Sequence, residues 1–184
     1  GNGFMGQRAN FEENYSGDTL QGNYIGGVYY PDKTRVGWWK NGYPEYFAKI
    51  INTTNWIGIY VSVDGETFDL NKCQIDSFRR ELNMHDGVLL RNASATLPNG
   101  KKIEVNSRRF ISLTEKDLGA IEYSVTPLNF SGQIELTSYL DGDVMNSDSN
   151  YDEKFWIEVD KKADERFSFV YTKTKKTEFD VCVG

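Results

Sequence analysis

Six turn dipeptides punctuate the chain: Asn41-Gly42, Asp64-Gly65, Asp86-Gly87, Asn99-Gly100, Ser131-Gly132 and Asp141-Gly142. Glycine at such places allows the backbone conformations, closed to residues with a Cβ, that tight hairpin turns demand. Between the turns lie short segments that alternate apolar and polar residues, the period of a half-buried strand. Residues 56–63 run into Asp64-Gly65 and return as residues 66–70. Residues 87–97 and 101–113 flank Asn99-Gly100 as a second hairpin, and residues 118–128 and 133–140 form a third around residues 129–132. Further strands are predicted in residues 155–159, 166–172 and 177–183. Strands at this spacing, with almost no helical stripe, predict an all-β antiparallel sandwich. The spacing also predicts a turn or two of helix over residues 44–50, a turn at residues 115–117 and an exposed polar loop over residues 146–152.

A chain of 184 residues can bury a substantial core, and without a linker, repeat or low-complexity stretch it reads as one domain, residues 1–184. Its net charge of −6, with both signs interspersed, argues against nucleic acid or an anionic membrane as the main partner, because both need a basic face. No apolar run approaches the roughly 18 residues that span a bilayer. Cys73 and Cys182 lie far apart without C-x-x-C spacing, so two buried reduced thiols in a cytoplasmic protein is the reading favoured over a disulfide. The N-x-S/T triplets at Asn14, Asn52, Asn92 and Asn129 are of the kind an Asn- and Ser/Thr-rich chain produces by chance.

Most chemical motifs fail on inspection. Gly1-Asn2-Gly3-Phe4-Met5-Gly6 spells G-x-G-x-x-G, but nothing upstream can be shown to feed the turn and no apolar helical stripe follows. Tight backbone in a β-rich fold explains the glycines better. His85, the sole histidine, precedes Asp86-Gly87 and reads as a turn residue with no activated nucleophile beside it. One histidine and two distant cysteines make no zinc site. Residues 141–152 begin like a calcium loop, then place Met145 at position five, Asn146 at position six and Asp152 at position twelve, so a solvated acidic loop is the better reading. The neighbours Glu12 and Glu13, like Asp152 and Glu153, would point to opposite faces of a strand and could not flank one glycosidic bond.

The most unusual segment is Trp38-Trp39-Lys40-Asn41-Gly42-Tyr43-Pro44-Glu45-Tyr46-Phe47. Its aromatics cannot all face one core. Three roles are open: a protein interface through Trp38, Trp39, Tyr43 and Tyr46, a cap on the open end of the sandwich, or a sugar-stacking platform of Trp38, Trp39 and Tyr43.

Residues 1–13, reading GNGFMGQRANFEE, resemble the "GNG-hydrophobic-G-x-R-x-NFEE" segment of glycoside hydrolase family 65. Residues 20–29, 78–84, 87–91 and 108–113 match further blocks in the family's order, and residues 38–49 look most like its maltose phosphorylase branch. The resemblance gives Gly3, Arg8, Asn10, Phe11 and Glu12 the part of structural motif residues. It implies an N-terminal super-sandwich similar to galactose mutarotase, cut from a larger enzyme whose catalytic (α/α)6 barrel follows. In that barrel a glutamate protonates the glycosidic oxygen while inorganic phosphate attacks the anomeric carbon, so phosphate is a co-substrate, no other cofactor or metal is implied, and no catalytic residue lies in this chain. A disaccharide substrate, the enzyme's own barrel and a homodimeric partner are likewise implied. A mutarotase-like activity would rest on fold analogy alone.

Overall fold

The computed structural model describes the backbone of residues 1–184 and every side chain except that of Trp39. The strands, in chain order, are β1 (Met5–Gln7), β2 (Asn23–Ile25), β3 (Tyr29–Lys33), β4 (Tyr46–Ile50), β5 (Asn55–Val63), β6 (Glu66–Thr67), β7 (Gln74–Asn83), β8 (Val88–Thr96), β9 (Lys102–Ile111), β10 (Gly119–Pro127), β11 (Ile134–Asp141), β12 (Trp156–Ala163), β13 (Ser168–Thr174) and β14 (Asp180–Val183). The helical elements are two short 3-10 turns, Trp38–Asn41 and Leu70–Lys72. The antiparallel all-β architecture is the predicted one. The chain divides into two compact units.

The first unit takes in residues 1–5, 9–19 and 57–139. One of its sheets has the order β10-β9-β8-β7 and the other β11-β5-β6. Val61 and Val63 of β5 meet Ala95 of β8 and Ile103 and Val105 of β9 in one core with Phe68, Leu70 and Leu97. This is a sandwich in miniature: alternate residues of two facing sheets interdigitate and the intervening residues face outward. The hairpins at Asp64-Gly65, Asp86-Gly87 and Asn99-Gly100 turn through glycines at φ of 82°, 67° and 84°, where a Cβ would be strained.

Two sequence expectations in this unit are corrected. Residues 118–128 and 133–140 do form strands, but β10 pairs with β9 and β11 with β5, so they make no hairpin. The loop between them is pulled both ways. Asn129 accepts from Lys102 N at 2.7 Å and donates to Gly100 O at 3.0 Å, while Gln133 N donates to Asp64 Oδ1 at 2.6 Å. The second correction is β7, a full strand absent from the sequence reading. Its run Ser77-Phe78-Arg79-Arg80-Glu81 is mostly charged, and exposure along the sheet edge removes the apolar alternation that marks inner strands.

The second unit comprises residues 6–8, 20–56 and 140–184. The sheet β12-β13-β14 and the ribbon β3-β4 enclose Val28, Tyr30, Ile51, Val144, Phe155, Trp156 and Val181. The predicted helix over residues 44–50 is strand β4, paired in register with β3 from Tyr29↔Ile50 to Lys33↔Tyr46. Tyr46, Phe47 and Ile50 suit a strand, and Pro44, whose carbonyl accepts from Thr34 Oγ1, sits just ahead of it. The polar segment over residues 146–152 is not wholly exposed. Asn146 is buried and spends its carboxamide on Asn52 N at 2.9 Å and Ile50 O at 3.1 Å. Both cysteines are free, but Cys182 is exposed and Cys73 half-buried, which corrects the expectation of two buried thiols. Among the described residues no helix is long and apolar enough to cross a membrane.

Candidate functional site

The chain's most concentrated buried chemistry lies beneath residues 9–13. Glu12 and Glu13 are not in a strand, as their adjacency had suggested, but in a bend, and both carboxylates are buried. The alternation argument therefore does not apply, and the two side chains converge. Their partners come from the four-stranded sheet. The register aligns Arg80, Arg91, Ser107 and Tyr123 in one row across β7, β8, β9 and β10, and Arg109 faces the same side one step along.

Arg91 grips Glu13 with both ends of its fork, Nη1 to Oε1 at 2.5 Å and Nη2 to Oε2 at 2.6 Å, and reaches Glu12 Oε2 at 2.8 Å. Arg109 Nη1 donates to Glu12 Oε1 at 2.9 Å, and the Tyr123 hydroxyl donates to Glu13 Oε2 at 2.9 Å. All four carboxylate oxygens are thus engaged and the two charges of each sign cancel. Phe11 roofs the cluster, its ring 5.0 Å from the Arg91 guanidinium carbon. Ile59 N donates to Glu12 O at 2.8 Å and ties the bend to β5.

The bonds clasp the bend to the sheet, and burial and charge act on their donors. Burial pulls the Arg91 guanidinium down, but the Glu13 carboxylate reverses this and holds it above its ordinary value. Burial lowers Arg109, with Glu12 opposing. Burial, reinforced by the Glu13 charge, drives the Tyr123 phenol well above its ordinary value, so it is a fixed donor at neutral pH. The cluster positions the loop through charge-assisted bonds.

The other motif residues hold their own loops. The Asn2 carboxamide oxygen accepts from Phe4 N at 3.0 Å and Met5 N at 2.7 Å, and its nitrogen donates to Ser112 O and Lys116 O. Gly3, at φ of 88°, makes the turn that Asn2 caps. Met5 then opens a strand, not the helix a dinucleotide site needs. Asn10 Nδ2 donates to Thr19 Oγ1 at 2.9 Å. In the second unit, Arg8 N donates to Gly22 O at 2.8 Å and its guanidinium lies over Tyr24.

Trp38, Tyr43 and Tyr46 are exposed, with ring centroids of Trp38 and Tyr43 6.0 Å apart and Arg35 over Trp38. They do not cap a core. The Trp39 side chain lies outside the described residues. His85 is an exposed turn residue 2.7 Å from Asp86 Oδ1. Asp143 of the calcium-like segment pairs with Lys154, and among the described residues no group of three His, Cys, Asp or Glu could hold a metal. Glu153 accepts from the Tyr30 hydroxyl at 2.6 Å, a bond Asp152 does not share.

Sequence reasoning missed Arg91, Arg109, Tyr123 and Glu13 as one constellation. The usable signal was phase. Arg91 shares the inward phase of Ala93 and Ala95, and Arg109 that of Ile103, Val105 and Ser107. A charge at an inward position implies a buried partner.

The family model of the glycosyl hydrolase family 65 N-terminal domain matches residues 1–184. The chain is 52% identical over 178 residues to maltose phosphorylase of Bacillus subtilis (97% of this chain, 23% of that one). It is 33% identical to kojibiose phosphorylase and 34% to alpha,alpha-trehalose phosphorylase, both of Thermoanaerobacter brockii, covering 100% and 97% of this chain and 22% and 24% of theirs. A solved structure described as a putative kojibiose phosphorylase from human microbiome matches with a TM-score of 0.79 at 26% identity, over 96% of this chain and 23% of that one. The chain therefore spans less than a quarter of these relatives. Over its whole length it is a member of glycosyl hydrolase family 65, as that family's N-terminal domain.

Proposed function

We propose that the chain serves a maltose phosphorylase, which cleaves the α-glucoside with inorganic phosphate, inverting it to β-glucose 1-phosphate and glucose. The observation that carries this is the 52% identity to the Bacillus subtilis maltose phosphorylase, against 33% and 34% for the kojibiose and trehalose enzymes. The domain's part is support. Its strongest buried constellation, Glu12, Glu13, Arg91 and Arg109, neutralises itself and holds a loop. Its partners in this reading are its own C-terminal catalytic barrel and a second copy in a homodimer. The exposed Trp38, Tyr43 and Tyr46 give the domain a contact surface for another domain. Phosphate is a co-substrate, no further cofactor is needed, and the enzyme works in the cytoplasm. The sugar-binding alternative rests on the same exposed rings alone.

The test is glucose 1-phosphate release by the full-length enzyme from maltose, kojibiose and trehalose with phosphate. Maltose should be the preferred substrate and the 184-residue domain alone should be inactive. Preference for another disaccharide overturns the maltose assignment. Turnover by the isolated domain overturns the supporting role.

A further inference from the structure

Strand β7 is the outermost of its sheet, ten residues long and exposed along nearly its whole length. A strand of that length with one unpaired edge is a template for another strand. The edge also has a sequence that complements itself. Arg79 Nη2 donates to Glu81 Oε2 at 2.5 Å along the strand, and if two copies of β7 run antiparallel about a two-fold axis at Arg80, Arg79 of each copy also stands opposite Glu81 of the other on that face, so the two pairs join into one four-charge square. On the other face, Phe78 stands opposite Leu82, and both side chains are exposed, at 42% and 60%.

Neighbouring registers lose this match. An axis at Arg79 sets Arg79 against itself, and an axis at Glu81 sets Glu81 against itself; like charges directly opposed are destabilising. The axis at Arg80 also opposes like charges, but each Arg80 guanidinium, though exposed, is held by its own copy. It donates to Ala9 O at 2.7 Å and lies over the Phe11 and Phe78 rings. The opposite edge, β10, offers no such match, since Glu122 is its single charge and Pro127 its last residue. The bulge between Ile75 and Ser77 limits the pairing to the segment from Ser77 to Asn83.

We infer that β7 is the surface through which two copies of this protein associate, joining their four-stranded sheets edge to edge with Arg79 paired to Glu81 across the axis. This rests on the homodimer in the proposed function and names its contact. A second copy is the occupant because the edge matches itself in charge and in apolar side chains at one register.

The test is a charge swap in the full-length enzyme, read by sedimentation equilibrium. R79E and E81R should each weaken the dimer about tenfold or more, since each turns two attractive pairs into two repulsive ones. The double variant R79E/E81R should return to within about threefold of the parent, because the pairs are restored with reversed sign. Both residues are exposed in the single copy, where they pair with each other along the strand, so far-UV circular dichroism should show every variant folded like the parent. A dimer indifferent to both single changes overturns the β7 assignment and leaves the dimer standing. A full-length enzyme that is monomeric throughout overturns both. Slow amide exchange across β7 in such a monomer would identify a segment of the same chain as the occupant, again overturning the assignment.

Discussion

Arg91 and Glu13, 78 residues apart in the chain, form a buried two-pronged ion pair at 2.5 and 2.6 Å. The bend that carries Glu13 also carries Glu12, which Arg91 and Arg109 hold from the sheet side. The pairing converts a polar loop into part of the first unit's interior.

Removing one member should cost more than the bonds it makes. Arg91→Ala strips both carboxylates of their shared donor in a site without bulk water. We expect a loss of about 3–5 kcal/mol in the urea unfolding of the isolated domain. Tyr123→Phe removes one neutral donor and should cost about 1–3 kcal/mol. Equal small losses for both would show that the cluster is hydrated.

Gly142 sits where a Cβ would come within 2.7 Å of Val170 Cγ1 and 3.3 Å of Thr172 Cγ2, both on buried residues of β13. Gly142→Ala should destabilise the domain by about 1–3 kcal/mol through overpacking. Val170→Ala opens space at the same spot, so thermal unfolding of the double variant should show a loss smaller than the sum of the singles.

Asp69 caps the 3-10 turn Leu70–Lys72, its Oδ1 accepting from Asn71 N at 3.1 Å and Ser16 N at 3.2 Å. Burial pushes the carboxyl up, but the bonds from Ser16 and Asn71 and the Lys72 charge outweigh it and hold the group below 3.8, its ordinary value. A depressed folded-state value stabilises the fold above the unfolded pKa, and the contribution is lost as pH falls through the folded one. Stability should therefore decline below pH about 4, and Asp69→Asn should flatten part of that decline in urea titrations taken stepwise down to pH about 2. An unchanged pH profile in the variant would remove Asp69 from the account.

Trp38 is 40% exposed and packs on Tyr43 and Arg35 rather than in a core. Trp38→Ala should change the isolated domain's stability by no more than about 0.5 kcal/mol, as surface substitutions do. If the residue contacts another domain, the same change in the full-length enzyme should lower its unfolding temperature. A loss of several kcal/mol in the domain alone would place Trp38 in a core.

The parts of this fold legible beforehand share a cause. Asn99-Gly100 and Asp64-Gly65 specify their turns within a few residues, because positive φ is a local steric matter, and the flanking alternation then sets strands β8, β9 and β5. Pro44 to Ile50 misled because an aromatic-rich segment of that length suits helix and strand alike until a partner is known. Its partner is β3, whose paired stretch begins at Tyr29. The missing hairpin after β10 had the same origin, since Asn129 and Gln133 answer to residues far away in the chain.

What the sequence determined by itself was the period, the turns and the family likeness of residues 1–13, all of which depend on short-range order. The inward phase of Arg91 and Arg109 went unread there, because a charge among apolar residues shows its meaning only once a partner is found. Tertiary structure alone decided that Glu12 and Glu13 turn the same way, because a bend is free of the strand's alternation, and that four buried charges meet and cancel. A buried charge needs an opposite charge within a few ångströms, and only the closing of the sheet against the bend brings one that near.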